Sequence, residues 1–289
     1  MSQPSFKPRT IAIVGLGLMG GSLAAACRAK FPRSRILGIS RSASSRRIAL
    51  RKKWVHTASR ELKDSARADI VIVCTPVNVL KYLLGKIDSS ARPGTIVTDV
   101  GSIKGEIVRW AAKKKFKNIQ FVGAHPMAGS HVRGIEAACE KLYQNSLIFV
   151  IRSPGTSEKS IARVKSFWRF LGGRVIEVTC EKHDLIVSRI SHLPHALAVC
   201  LMLSVPPQSL DFSAQGFRDT TRIAQGHPSL WGPIFLENRR KVFESLSRFE
   251  RVIKQFKKAL NRKQGALLWR MLAEASKRRR NISSKNASI

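Results

Sequence analysis

Apolar residues occur in short continuous runs over the first 178 positions, and helix-forming stretches such as 104–116 and 157–171 lie between the runs. The runs are 10–14, 35–39, 69–74, 95–99, 119–122, 147–151 and 174–178. Continuous apolar runs are typical of strands buried on both faces, and their alternation with helices indicates a parallel sheet. The pattern therefore predicts an α/β domain over 1–178, a Rossmann-type doubly wound parallel sheet.

The pattern changes beyond residue 178, because strand signals almost vanish from residue 181 onward. From Val242 to Leu260, apolar residues recur at three- and four-residue steps, which predicts a long amphipathic helix. We therefore expect an all-α C-terminal domain over 179–289 that ends in a basic tail at 277–280 (KRRR). The longest apolar stretch, 193–205, falls short of the roughly 20 residues of a membrane span, so no span is expected.

A glycine-rich turn follows the first apolar run and precedes a helix-forming stretch from Ser22. In the pattern G-x-G-x-x-G the glycines allow a tight turn, close approach of a pyrophosphate and close helix packing. The alternative is a turn that binds no ligand. We expect this turn to bind a dinucleotide through Gly15, Gly17, Leu18, Met19 and Gly20.

The second strand ends at Ser40, Arg41 and Ser42, with Arg46 and Arg47 close behind. An NAD enzyme places Asp or Glu near this point to bind the ribose hydroxyls. A carboxylate would repel a 2′-phosphate, whereas Ser and Arg side chains can hydrogen-bond and neutralise it. The sequence therefore favours NADP, with NAD possible; the alternative is that these arginines only share the general basic excess.

His125 follows one predicted strand in a turn-rich segment, and Ser102 follows another. The carboxyl ends of parallel strands meet at one edge of a sheet, where ligands of such folds bind. A serine within hydrogen-bond reach can fix the tautomer of a catalytic histidine. We therefore expect His125 and Ser102 to lie together in a catalytic site, although a single histidine is more often structural.

Eight segments together resemble the prephenate/arogenate dehydrogenase family of tyrosine biosynthesis. They are 14–23 (VGLGLMGGSL), 74–76 (CTP), 99–104 (DVGSIK), 123–129 (GAHPMAG), 183–184 (HD), 191–195 (SHLPH), 216–222 (GFRDTTR) and 228–231 (PSLW). The resemblance runs in family order from residue 10 to about 260. It implies a nicotinamide-dependent oxidative decarboxylation of prephenate to 4-hydroxyphenylpyruvate, in which hydride leaves the ring carbon that bears the hydroxyl and the ring carboxylate leaves as carbon dioxide.

The resemblance also implies roles for individual residues. His125 would be the partner of the substrate hydroxyl and Ser102 its orienting residue, beside the cofactor. Arg222 would bind a carboxylate of the substrate, and His195 would lie near its pyruvyl side chain. The other residues implied for the substrate site are Asp184, Asp219, Trp231 and Ser130. Those implied for the cofactor site are Thr75 and Pro76. Asp184 and Asp219 have the alternative of pairing with neighbouring arginines, and Trp231 that of a core aromatic residue.

The loop after Gly129 reads Ser130-His-Val-Arg133, where family members often carry an acidic residue. An acidic side chain would suit the ammonium group of arogenate, whereas His131 and Arg133 suit a substrate without an amine. This departure favours prephenate as the substrate. The alternative is arogenate, which such an enzyme would convert directly to tyrosine. A β-hydroxyacid dehydrogenase is a further alternative, since it opens with a similar turn, but such enzymes rely on a catalytic lysine in a helical segment.

The net charge is +34, from 52 basic and 18 acidic residues. A basic chain suggests anionic partners, so non-specific nucleic-acid binding is possible and a basic nucleic-acid-binding protein on a dehydrogenase fold is the non-enzyme alternative. The basic residues are dispersed along the whole chain, which favours a small anionic substrate over a dedicated nucleic-acid surface.

Five cysteines without CxxC spacing lie mostly among apolar residues. This pattern predicts small buried side chains, no metal site and a cytoplasmic location. The resemblance further implies a homodimer formed through the helical C-terminal domain.

Overall fold

The computed structural model describes residues 6–129, 132, 134–153 and 155–287. Their contacts group the chain into two compact units, one that ends at Arg239 and one that begins at Arg240. The domain boundary predicted between residues 178 and 179 stays a prediction.

The described residues of the first unit form nine strands. They are β1 (Thr10–Val14), β2 (Arg35–Ile39), β3 (Thr57–Ser59), β4 (Ile70–Val73), β5 (Thr95–Asp99), β6 (Ile119–Val122), β7 (Ala124–Pro126), β8 (Leu147–Arg152) and β9 (Arg174–Thr179). The first six form one parallel sheet in the order β3-β2-β1-β4-β5-β6, and the last three form a second sheet in the order β7-β8-β9.

Eleven α-helices accompany the strands in the described chain. They are α1 (Leu18–Lys30), α2 (Ala43–Arg51), α3 (Leu80–Ser90), α4 (Gly105–Lys114), α5 (Glu158–Phe170), α6 (Cys180–Val187), α7 (Leu193–Ser204), α8 (Gln215–Thr221), α9 (Pro228–Glu237), α10 (Arg239–Asn261) and α11 (Gly265–Ala287). One π-helical turn, Ser188–His192, joins α6 to α7.

The six-stranded sheet is buried on both faces. In β1, Ile11 and Ile13 belong to one apolar cluster, whereas Ala12 and Val14 belong to another. Alternate side chains of a strand point to opposite faces, so each face packs against its own layer. The prediction of a doubly wound parallel sheet followed by a helical C-terminal region is therefore confirmed.

The second sheet differs from the sequence prediction, which placed all the apolar runs in one parallel sheet. Only Gly123 separates β6 from β7, and β7 pairs antiparallel with β8, which pairs parallel with β9. Residues 127–146 connect β7 to β8, and a connection of this length allows either pairing direction, so the apolar runs alone did not specify it. The short strand β3 was also not predicted.

The apolar helix after β9 is longer than the sequence suggested. Because the π-helical turn continues α6 into α7, Cys180–Ser204 forms one helix of 25 residues, and its most apolar 18-residue window has a mean hydropathy of 1.5. By length and composition alone this helix could cross a membrane, and it is the one described helix of which this is true. It also carries His183, Asp184 and His195, which are all buried.

The five cysteines are all free thiols in the described chain. Cys27 and Cys180 are buried and Cys74 is half-buried, as their apolar neighbours predict. Cys139 and Cys200 are exposed, so the prediction of small buried side chains is wrong for these two. Cys139 precedes a short 3₁₀ helix and Cys200 lies in α7, where the apolar sequence pattern did not distinguish a core face from an exposed one.

The second unit consists of α10 beyond Arg239 together with α11. The predicted amphipathic helix is present, but Phe243, Ile253 and Leu260 of its apolar stripe are exposed. In α11, Trp269 and Leu272 are exposed as well.

Candidate active site

The glycine-rich turn lies at the carboxyl edge of the parallel sheet, between β1 and α1. Gly15 has φ +96°, a left-handed conformation that glycine adopts without strain. A Cβ atom on Gly20 would collide with the carbonyl oxygen of Gly15, so α1 can approach the turn this closely only because residue 20 is glycine. A Cβ atom on Gly17 would meet nothing within 4 Å, so this glycine faces open space.

The start of α1 has the properties of a phosphate site. Gly17 is the N-cap residue, no side chain caps the helix, and no acidic residue occupies its first turn. The first backbone N–H groups of a helix lack intrahelical partners and favour an anion. Nearby, the hydroxyl oxygen of Thr75 is buried without a partner in the described chain, and Pro76 is exposed. These residues fit a dinucleotide.

The segment after β2 presents polar and basic groups. Ser42 caps α2 by accepting a hydrogen bond from the backbone N–H of Ser45 at 3.2 Å. The Nη1 atom of Arg46 donates to the carbonyl oxygens of Ser40 at 2.5 Å and Arg41 at 3.1 Å. Arg46 thus fixes the segment, while the Arg41 and Ser42 side chains remain exposed.

His125 is buried in β7 and belongs to a chain of three hydrogen-bonded side chains. Its Nδ1 atom lies 2.8 Å from Nε2 of His183, and Nδ1 of His183 lies 2.7 Å from Oδ1 of Asp184. The carboxylate of Asp184 also accepts hydrogen bonds from the backbone N–H groups of Lys104 at 3.0 Å and Gly105 at 2.8 Å. The first turn of α4 and the start of the apolar helix are therefore joined through one carboxylate.

A buried ion pair supports the same edge. The Nζ atom of Lys104 lies 2.6 Å from Oδ2 of Asp99, and the two side chains are 0% and 1% exposed. Asp99 also accepts hydrogen bonds from the backbone N–H groups of Gly101 at 2.9 Å and Ala124 at 3.2 Å. Because Ala124 precedes His125, the ion pair fixes the backbone that carries the histidine.

Ser102 lies in the loop between β5 and α4 and is half-buried at the same edge. Among the hydrogen bonds of the described residues, none joins Ser102 to His125. In place of the hydrogen bond that we expected from Ser102, the structure has one between His125 and His183. Ser102 remains a predicted neighbour of the cofactor.

His195 and Trp231 form a second part of the candidate site. Their rings are stacked, with centroids 3.6 Å apart and planes at 11°. Gly226 lies against both rings, and a Cβ atom there would come within 2.5 Å of Cε1 of His195. The Nδ1 atom of His195 is buried without a partner in the described part of the chain, so it is available to a ligand or water.

Two of the predicted substrate residues, Arg222 and Asp219, form no hydrogen bond or ion pair with His125 among the described residues. Arg222 is exposed just after α8, and Asp219 is exposed within α8 and accepts a hydrogen bond from Gln215 Nε2 at 2.8 Å. Ser130 lies outside the described residues, as do His131 and Arg133.

The histidines of the site are held in their neutral form. Burial, then the neighbouring His183, Lys104 and His192, lower the pKa of His125 well below its ordinary value. Burial lowers the pKa of His183, although Asp184 opposes this effect. For Asp184, burial raises the pKa, but hydrogen bonds from His183, Lys104 and Gly105 outweigh it and the pKa is lowered. The result is neutral imidazoles beside an ionised carboxylate.

Four residues of this network were given no role from sequence. His183, Asp99 and Lys104 lie inside the segments that carry the family resemblance, which was the available signal. Asn238 had no such signal: its Nδ2 atom donates to the carbonyl oxygen of Asp184 at 3.0 Å and to Nδ1 of His192 at 3.2 Å. Within the described residues, no group of three or more His, Cys, Asp or Glu side chains is arranged to hold a metal ion.

Comparison with known proteins gives consistent matches over most of the chain. The family model "Prephenate dehydrogenase, nucleotide-binding domain" matches residues 23–177, and "Prephenate dehydrogenase, dimerization domain" matches residues 179–274. The prephenate dehydrogenase of Bacillus subtilis (strain 168) is 36% identical over 259 residues, which are 86% of this chain and 68% of that protein.

Two solved structures are also similar. Prephenate dehydrogenase from A. aeolicus, in complex with hydroxyphenyl propionate and NAD+, has a TM-score of 0.90 at 30% identity and covers 96% of this chain and 99% of its own. Synechocystis arogenate dehydrogenase has a TM-score of 0.83 at 29% identity and covers 94% of this chain and 99% of its own. These relatives are dehydrogenases, and they lend no support to a nucleic-acid-binding function.

The low pKa of His192 predicts a stability that falls in acid. Burial is the main cause that lowers this pKa to about 4. The unfolded chain therefore takes up a proton near pH 6.5 and the folded chain only near pH 4, so this contribution to stability is complete above pH 6.5 and is lost as the pH falls towards 4. Between pH 7 and pH 5, the wild type should lose about 2 kcal/mol more unfolding free energy than His192→Asn.

Urea unfolding at the two pH values measures this difference. His227→Asn, at an exposed histidine, is the control and should follow the wild type. Equal losses for the wild type and His192→Asn would contradict the prediction.

Proposed function

Because the chain belongs to the prephenate dehydrogenase family, we propose that it converts prephenate to 4-hydroxyphenylpyruvate by oxidative decarboxylation with a nicotinamide dinucleotide. The observation that carries the proposal is the buried, neutral His125 at the carboxyl edge of the sheet, in the same unit as a glycine-rich turn that fits the cofactor. This activity would place the protein in tyrosine biosynthesis.

The chemistry requires few groups from the protein. The nicotinamide, when bound, supplies the hydride acceptor. His125 takes the proton of the substrate hydroxyl as the ring carbon is oxidised, and it returns the proton to the phenolate oxygen once carbon dioxide has left. Aromatisation of the ring supplies driving force, so the chain mainly binds, orients and moves this one proton.

The carboxylates of the substrate need cationic or hydrogen-bonding partners. We assign Arg222 to one carboxylate, since its forked donors suit that group. His195 has a buried, unpartnered Nδ1 atom beside the Trp231 ring, which suits the pyruvyl side chain. We also propose that Ser130 and Asp219 bind the substrate, and only the family resemblance supports these two residues. Asp184 acts from behind His125, through His183.

The choice of prephenate over arogenate rests on charge. The loop 130–133 carries His131 and Arg133 and contains no acidic residue to pair with an ammonium group. Arogenate, which would yield tyrosine directly, is the second candidate substrate, and the similarity to Synechocystis arogenate dehydrogenase favours keeping it.

For the cofactor, we propose NADP in preference to NAD. Ser40, Arg41 and Ser42 follow β2 in place of the acidic residue expected for NAD, and Arg46 holds this segment through two carbonyl oxygens. The exposed side chains of Arg41 and Ser42 provide a cation and a hydroxyl for a 2′-phosphate.

We also propose a cytoplasmic homodimer formed through the helical C-terminal region. The family model for the dimerization domain matches residues 179–274, and Leu203, Phe243 and Trp269 in this range are 82%, 71% and 70% exposed. The five free thiols suit a reducing compartment.

Light scattering of the purified protein should give twice the chain mass of 32.2 kDa. A stable monomer that retains full activity would contradict the dimer.

The proposed reaction is tested by four rates: prephenate and arogenate, each with NAD and with NADP. We expect the highest kcat/KM for prephenate with NADP. His125→Asn should lower kcat by about 10²-fold or more, because general acid–base groups contribute 10²–10⁴-fold.

His56→Asn is the matched control, since His56 lies at the amino edge of the sheet, where its Nδ1 atom accepts a hydrogen bond from the backbone N–H of Ile36. This variant should keep the wild-type kcat. A near-normal kcat for His125→Asn would remove His125 from the mechanism, and no turnover of either substrate by the wild type would refute the proposed reaction.

The cofactor preference is tested by Arg41→Asp. Loss of a charge-assisted contact and repulsion by the new carboxylate should raise KM for NADP about tenfold or more, while KM for NAD changes little. Arg33→Asp makes the same change at an exposed arginine before β2, at the amino edge, and should leave both constants unaltered. An unchanged preference in Arg41→Asp, or equal constants for both cofactors in the wild type, would count against NADP.

A further inference from the structure

We propose that His183 and Asp184 are positioning residues that set the tautomer of His125, so that its Nε2 atom is the proton acceptor of the reaction. This inference rests on the proposed function for its chemistry. It rests on the hydrogen-bonded chain Asp184–His183–His125 for its geometry.

The order of protons in the chain follows from the carboxylate. Asp184 accepts two backbone N–H groups, of Lys104 and Gly105, which favours its ionised form. An ionised carboxylate can only accept, so Nδ1 of His183 must carry the hydrogen that points to Asp184. Neutral His183 then has a lone pair at Nε2, and this lone pair can only accept the hydrogen of His125 Nδ1.

Because the hydrogen of His125 lies on Nδ1, the Nε2 atom of the neutral ring carries none. This atom forms no hydrogen bond within the described part of the chain, whereas Nδ1 is fully engaged. A neutral imidazole has one donor and one acceptor nitrogen, so fixing the donor at Nδ1 fixes the acceptor at Nε2. A serine alone would not impose this order, because a hydroxyl can donate or accept.

The same chain stabilises the protonated intermediate. When the substrate hydroxyl gives its proton to Nε2, His125 becomes an imidazolium whose Nδ1 hydrogen still points at His183. The positive charge is then linked through one imidazole to the negative charge of Asp184. Return of the proton to the phenolate oxygen restores the starting protonation, so no proton is lost or gained by the network.

The surrounding contacts hold the side chains of Asp184, His183 and His125 in these positions. The His183 ring packs edge-on against Phe149, with centroids 5.2 Å apart and an interplanar angle of 85°. The main chain at Asp184 is held by Asn238, which donates to its carbonyl oxygen at 3.0 Å. At Gly105, a Cβ atom would lie 2.5 Å from Oδ2 of Asp184, so the carboxylate reaches the α4 backbone only past a glycine.

The decisive measurement is nitrogen NMR of the full-length protein labelled with ¹⁵N-histidine, at a pH where the histidines are neutral. The chain contains seven histidines, and the signals of His125 are those absent from His125→Asn. We expect Nδ1 of His125 to carry the hydrogen and Nε2 to be bare. A hydrogen on Nε2 in the wild type, or an even mixture of both tautomers, would overturn the inference.

Two substitutions of His183 extend the test to catalysis. His183→Phe keeps a ring against Phe149 but removes the acceptor, so we expect mixed tautomers at His125 and a fall in kcat of about 10²-fold, with KM for prephenate changed less than threefold. His183→Gln retains an acceptor oxygen, so it should restore part of the preference for hydrogen on Nδ1 of His125 and part of the wild-type kcat. His56→Phe is the matched control and should change neither.

The tautomer measurement needs no substrate and no variant at residue 183. It therefore decides the inference even if His183→Phe does not fold. An inactive wild type would refute the proposed function, and the NMR result would still show separately whether His125 has the predicted tautomer. A His183→Phe enzyme with unchanged tautomer and unchanged kcat would contradict the positioning role.

Discussion

The buried ion pair between Lys104 and Asp99 is the interaction on which the rest of the site depends. Both side chains are almost completely excluded from solvent, and Asp99 also accepts backbone N–H groups on either side of the sheet edge, at Gly101 and Ala124. A buried pair contributes little net stability compared with apolar residues, but removing one partner costs about 3–5 kcal/mol because the other charge is left uncompensated. The main effect of the pair is therefore to fix positions. It holds the end of β5 against the start of β7, which carries His125.

Asp184 performs a second joining role, between α4 and the apolar helix that begins at Cys180. Only 28% of the most apolar window of this helix is buried, and the buried side chains of the helix include a carboxylate and several imidazoles. Each buried polar group costs free energy unless it is paired. Asp184 is paired three times, and His183 and His192 each have a partner, so the polar interior of this helix is satisfied except at His195. The unsatisfied Nδ1 atom of His195 lies where the pyruvyl side chain of the substrate is proposed to bind.

Sequence reasoning located the groups whose environment is local and missed those whose partners come from far along the chain. The glycine-rich turn, His125 just beyond strand β6 and the polar segment at Ser40 each follow from a few neighbouring residues. His183 contacts His125 across 58 positions, and no spacing rule connects the two. The second sheet was missed for a related reason, since apolar runs predict strands but do not specify which strand each one pairs with or in which direction. The residues that act through other residues were therefore the ones that required a structure.

The excess of positive charge and the chemistry of the base are compatible for a physical reason. A cation near an imidazole disfavours its protonation, and the buried Lys104 does so for both His125 and His183. Exposed charges act more weakly, because salt screens them beyond about 8–10 Å. Most of the basic side chains are of this exposed kind and contribute mainly to the attraction of anionic ligands. The proposed base His125 must be neutral to accept a proton, and nearby positive charge favours its neutral form. Positive charge also attracts the anionic substrate and cofactor, so a strongly basic chain is consistent with the proposed reaction without a nucleic-acid partner.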